Sequence, residues 1–324
     1  MNENALKVLL TGSTGFVGGR LLPQLLKAGI VTRCLVRSVR KFNTVTRNGH
    51  EAEVMAGDLL DPESLKRALD GMDAAFYLVH SMGGRSIADY KKYLEHDVQA
   101  ATNFVAAADA VGLKRIIYMG GLGELGDNLS EHLKSRQKVA EILESGRART
   151  TVLRAANIIG AGGAPFEMLR HMVERLPVMI CPRWIDTRGQ PIAVDNVVEY
   201  LLGSLLEPAT TGLRLDVGGP DIITYRQLMQ IYARVRGLKR LIVSVPVLTP
   251  HLSSYWINLM TPVPAGVVMP LLEGLKNEVI CRDRRILELV PIRLIPMQEA
   301  ICTALTEVQA GPGKLPSVQA CLWR

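Results

Sequence analysis

A doubly wound parallel α/β sheet with a smaller C-terminal lobe is the fold class this 324-residue chain predicts. Two observations near the start carry it. An apolar run, Val8-Leu9-Leu10, stops at Thr11-Gly12-Ser13-Thr14-Gly15-Phe16-Val17-Gly18-Gly19, and an apolar helical pattern (Leu21, Leu22, Leu25, Leu26) then runs to Gly29. Beyond it, short β-branched or apolar runs alternate with helical patterns, as βαβ units require. The length adds a third observation, because a chain of this size buries a substantial core as one large domain or two lobes.

Each glycine of the opening stretch has a physical task. Gly12 permits a tight strand-to-helix turn, Gly15 lets backbone amides approach a pyrophosphate, and Gly18 lets the helix pack close to the strand. Phosphates then sit at the positive end of the helix. No Gly-Lys-Ser/Thr follows, so a nucleoside-triphosphate P-loop is unsupported. The Thr-Gly-x-x-Gly-x-x-Gly spacing resembles the extended and atypical branches of the short-chain dehydrogenase/reductase superfamily, with its Rossmann fold. That resemblance places Gly12, Ser13, Thr14, Gly15, Phe16 and Val17 around a dinucleotide.

The net charge of +7 is moderate and scattered in short clusters. It fits a solvated surface or an anionic ligand and does not point to nucleic acid. Five cysteines (Cys34, Cys181, Cys281, Cys302, Cys321) lie far apart with no C-x-x-C pair, so neither a disulfide framework nor a metal site is expected. The first residues carry no apolar signal-peptide core, and a cytoplasmic location, with or without membrane association, is the expectation.

Val31 to Val36 reads as a second strand, ending at Arg37-Ser38-Val39-Arg40-Lys41. This end meets the adenosine ribose in a dinucleotide fold, about 20 residues past the glycines. An acidic residue there would bind the free hydroxyl of NAD. Arg37 and Ser38 stand there instead, and a guanidinium suits a 2′-phosphate, so NADP is favoured with NAD as the alternative. Glu51 to Met55 reads as strand three, followed by Gly57-Asp58-Leu59-Leu60-Asp61-Pro62. The resemblance puts Asp58 and Leu59 beside the adenine, while Asp61 reads as the cap of a helix starting at Pro62.

Ala74 to Val79 is a compact apolar strand whose end, Val79-His80, faces the ligand side of such a sheet. A helix is expected over 87–111 and a fifth strand over Arg115 to Met119, ending in Gly120-Gly121. Working short-chain reductases place a serine at this strand end and Tyr-x-x-x-Lys on the next helix. Here the serine position falls on Gly120-Gly121, and no tyrosine lies between Tyr118 and Tyr200. His132 aligns with the missing tyrosine and Arg136 with the missing lysine, in an arrangement that resembles the NmrA-like branch. His132 and His80 are the candidate proton donors, because a histidine pKa is within reach of neutrality. A helix-start residue with no chemistry is the equal alternative for His132, and a structural role the stronger one for His80.

Thr150 to Leu153 reads as strand six, 166–177 as an amphipathic helix, and Asp195 as a helix cap. Leu215-Asp216-Val217 reads as a strand, and Thr224 as the cap of the helix after it. These motifs resemble extended reductases, so the resemblance covers about residues 7 to 236. Residues 1–160 are expected to form the dinucleotide-binding domain and 161–310 an interleaved C-terminal substrate lobe, with 311–324 a weakly ordered tail.

From Leu241 to Leu272 there is no Asp, Glu, Lys or Arg, and five prolines interrupt the run. The prolines argue against a continuous spanning helix. The segment reads as a lobe wall, a lid over an apolar ligand, or a surface for peripheral membrane contact, with Tyr255 and Trp256 suited to the last two. The chain as a whole resembles atypical reductase-like proteins of the NmrA-like and complex I 39-kDa-subunit-like kind. That implies an NADP-dependent oxidoreductase acting on an apolar small molecule (a quinone, isoprenoid or lipid). A non-catalytic NAD(P)-binding regulatory, assembly or scaffold protein is the second reading. The oligomeric state is open.

Overall fold

Side chains alternate across a strand, and here the alternation divides the core into two layers. Val8 and Leu10 enter one layer, whereas Leu9 enters the other. Phe76 and Ile117 follow the first pair, and Ala75, Tyr77, Ile116 and Tyr118 follow Leu9. A sheet buried on both faces in this way needs helices on both sides. The computed structural model describes residues 5–42, 46–47, 50–80, 87–123, 131–245, 274 and 277–310.

Within them the central sheet has seven strands: β1 (Lys7–Thr11), β2 (Val31–Val36), β3 (Glu53–Ala56), β4 (Ala74–Tyr77), β5 (Arg115–Gly121), β6 (Arg149–Ala155) and β7 (Arg214–Val217). The order is β7-β6-β5-β4-β1-β2-β3 and every pair is parallel. The chain reverses direction across the sheet between β1 and β4. A crevice opens at such a switch point, outside the carboxyl ends of the strands.

Helices α1 (Gly18–Lys27) and α6 (Val194–Leu206) pack on the first layer. Helices α2 (Pro62–Leu69), α3 (Ile87–Val111) and α4 (Glu131–Glu144) cover the other. Asp61 caps α2 as expected, its carboxylate accepting from the Glu63 amide at 3.1 Å. A second core lies beyond the sheet. Helices α5 (Ala164–Arg175), α7 (Tyr225–Val235) and α9 (Met297–Ala310) enclose Phe166, Met229, Tyr232 and Ile301. Thr224 caps α7 through a reciprocal capping box with Gln227.

Three local expectations shift. The third strand begins at Glu53, because His50–Glu51 pairs with Thr46–Arg47 instead. The fifth strand continues through Gly121, held there by pairing with Ala155. Asp195 is not a cap: Ala193 occupies that position without a side-chain bond, and Asp195 stands in the first turn of α6. Of the charge-free segment, Leu241–Val245 is a strand parallel to Val178–Pro182. Residues 246–272, with Tyr255 and Trp256, and the tail 311–324 lie outside the described residues.

Two buried polar side chains fasten the second lobe to the sheet. Asp216, at 2 % exposure, takes Arg154 in an ion pair at 2.5 Å and accepts from the amides of Arg282 and Asp283 at 3.0 and 3.1 Å. Asn196 accepts from the Ile295 amide and donates to the Arg293 carbonyl, both at 2.8 Å. Helix α8 (Ile286–Leu289), between these two fasteners, sends Ile286 into the sheet core.

Candidate functional site

The end of β1 is pinned before the chain turns. The Thr11 hydroxyl donates to the Phe76 carbonyl at 2.9 Å and accepts from the Leu78 amide at 3.2 Å, so β1 and β4 end together. Gly12 then takes a φ of 71°, and a Cβ there would stand 2.8 Å from the Leu78 carbonyl oxygen. A Cβ on Gly18 would collide with the Gly12 carbonyl, so the first turn of α1 lies directly against the strand end. That helix starts with no side-chain cap and no acidic residue in its first turn. Its positive end lies beside the cleft, where Gly15, Phe16, Val17 and Gly18 form the lining and a pyrophosphate would be favoured.

A cleft of about 950 Å³ opens here, at the upper end of ligand-sized pockets. Gly12, Thr14, Gly15, Phe16 and Val17 line its floor. Ser13 does not; it is buried beneath the turn. Phe16 sits against the loop after β6, where a Cβ on Gly163 would meet its ring at 2.7 Å, and Arg20 covers it 5.4 Å from the ring centroid. Arg37 lines the adenosine end, exposed and in no ion pair among the described residues, whereas Ser38 falls outside the lining. Asp58 and Leu59 line the same end, and the Asp58 carboxylate accepts from the Leu60 amide at 2.9 Å. Glycine turn and uncapped helix together fit a dinucleotide.

At the inner end stand Val79, His80, His132 and Arg136. The two imidazoles face each other edge to face, with centroids 6.2 Å apart. Arg136 is 8 % exposed and enters no ion pair among the described residues. Burial, together with this guanidinium, pushes His132 down to about 3 and His80 well below its usual range. Both imidazoles are therefore neutral at neutral pH. A neutral ring can donate a hydrogen bond but is a weaker proton donor than an imidazolium. The Nδ1 of His80 is buried with no hydrogen-bond partner among the described residues. Gly121, at the serine position, serves packing: a Cβ there would meet the Leu133 side chain at 2.8 Å. Its absence lets α4 carry His132 and Arg136 to the cleft.

Sequence reasoning missed Asp97 and Tyr225, which also line the cleft. Asp97, a buried carboxylate on α3, is one turn from Ala100 and Ala101 on an apolar face, and a carboxylate on that face was the available signal. Tyr225 follows the Thr224 cap and offered none. Among the described residues no His, Cys, Asp and Glu cluster could hold a metal, and no helix is long and apolar enough to cross a membrane.

Fold and cleft define a dinucleotide-binding α/β protein. Residues 12–159 match the NAD(P)H-binding family model. A ceramide reductase of Caulobacter vibrioides is 26 % identical over 242 residues, covering 74 % of this chain and 73 % of that one. A photosystem II assembly factor, Ycf39 of Trieres chinensis, is 24 % identical over 251 residues, covering 74 % and 72 %. Among solved structures, a nucleoside-diphosphate-sugar epimerase of Staphylococcus aureus superposes with a TM-score of 0.73 at 20 % identity, covering 91 % of this chain and 99 % of that one. Residues 12–159 are thus similar to an NAD(P)H-binding family, and the relatives over the longer span include a reductase and an assembly factor.

Proposed function

We propose that the protein is an NADPH-dependent reductase of a carbonyl compound with a long apolar body. One observation carries this reading. A single cleft joins the glycine turn and Arg37 to the His80, His132 and Arg136 cluster, and continues to Pro165, Ile223 and Leu228 of the second lobe. A bound NADPH supplies the hydride. The chain's part is electrostatic: the His132 N–H donates a hydrogen bond to the carbonyl oxygen, and the Arg136 charge stabilises the oxyanion as it develops. With both imidazoles neutral, water supplies the proton. A neutral imidazole held neutral by its surroundings is a known way to polarise a carbonyl. The relative named for ceramide reduction supports an apolar substrate.

The second reading is a non-catalytic NAD(P)-binding assembly or regulatory protein, and the relative named as a photosystem II assembly factor supports it. The glycines at the serine position and the low proton affinity of His132 favour it. Purified protein incubated with NADPH and a panel of long-chain ketones, quinones and lipids separates the two. The reductase reading expects cofactor oxidation with at least one member. Tight NADPH binding without oxidation by any member leaves the second reading standing.

A further inference from the structure

The strand pair at the outer edge of the second lobe carries apolar side chains on both of its faces. Met179 and Cys181 point inward and are buried in the second core. On the opposite face, Val178 is 50 % exposed, Ile180 57 %, Leu241 59 % and Val243 40 %. The register sets Val178 beside Leu241 and Ile180 beside Val243, so the four form one contiguous patch. Isolated exposed apolar residues need no explanation, but a contiguous group at one place marks a contact surface.

The charges around it share one sign. Lys239 and Arg240 stand just before Leu241, and Arg183 just after Pro182. None of the three enters an ion pair among the described residues, and Arg240 donates only to the backbone carbonyls of Val173, Glu174 and Lys239. The nearby carboxylates are already neutralised: Asp186 by Arg226 at 2.6 Å, and Glu174 by Arg236 at 2.6 Å. An apolar patch with unneutralised cations at both ends is complementary to an anionic lipid surface, where side chains enter the acyl boundary and cations stay among the headgroups.

We propose that the face formed by Val178, Ile180, Leu241 and Val243 docks on an anionic phospholipid bilayer, with Lys239, Arg240 and Arg183 at the headgroups. The inference stands apart from the reductase reading, because partition onto vesicles is measured without turnover.

Co-sedimentation of the full chain with phosphatidylcholine vesicles, with and without phosphatidylserine, tests it. Wild type is expected to pellet with the anionic vesicles, less with the neutral ones, and less as salt rises. The Ile180→Asp/Val243→Asp double variant is expected to lose more than about tenfold in partition. Lys239→Glu/Arg183→Glu should lose at least about tenfold on anionic vesicles only. Both variants alter exposed positions, and unchanged NADPH affinity with unchanged circular dichroism checks that they fold. No pelleting of wild type overturns the proposal, as does full pelleting of the apolar variant. A wild type that sediments as a dimer in the ultracentrifuge, with Ile180→Asp/Val243→Asp a monomer, assigns the face to a second copy and also overturns it.

Discussion

Arg37 is an exposed guanidinium at the rim of the cleft, in no ion pair among the described residues. If it meets a 2′-phosphate, Arg37→Ala removes a charge-assisted contact that only NADP makes. Calorimetric titration should then show NADP weakened about 10–100-fold and NAD unchanged. Equal losses for both dinucleotides would remove the phosphate role. His132 makes a different kind of prediction. Its folded pKa, down to about 3, lies below the usual histidine value, so below about pH 6.5 the unfolded chain binds a proton that the folded chain refuses. Its contribution to stability is complete above that pH and is lost as pH falls towards 3. His132→Asn should flatten the loss of stability between pH 6 and 4 by about 1.4 kcal/mol per pH unit, read from urea unfolding at each pH. An unchanged slope would mean that His132 titrates normally.

At the scale of elements, the turn between β1 and α1 is held by contacts that tolerate no side chain. Gly18→Ala places a methyl group against the Gly12 carbonyl, with backbone on both sides and nothing flexible to yield. A destabilisation of about 1–3 kcal/mol is expected in urea unfolding, together with weaker binding of either dinucleotide. The C-terminal fastening gives a larger effect. Asp216→Ala leaves Arg154 without its partner and frees the amides of Arg282 and Asp283, so about 3–5 kcal/mol should be lost. A loss under 1 kcal/mol would show that the fastening matters little. The succession of strands along the chain and the glycine turn were legible because each strand reads as an apolar run and each glycine has a steric task. The Asp216 fastening was not, because it joins β7 to a segment more than sixty residues away and no local pattern reports such a contact.

Taken as a whole, the molecule sets a charged and polar cofactor half against an apolar lobe across one cleft. Gly12, Gly15, Arg37, Asp58, Val79, His80, His132 and Arg136, all named from the sequence, line that cleft, although they come from four strand ends and one helix. Ser13 and Ser38 lie outside the lining, and spacing cannot say which way a turn residue points. The lowered proton affinity of His132 was not legible either, because burial and the Arg136 charge are properties of the packed site. The central claim is reduction of an apolar carbonyl compound by NADPH. Transfer of deuterium from NADPH labelled at the nicotinamide C4 to a long-chain ketone, followed by mass spectrometry, tests it most directly. The account predicts labelled alcohol from NADPH at a rate well above that from NADH, with the rate falling in Arg136→Ala. Saturating NADPH binding with no label in any product across the ketone and quinone panel would contradict it.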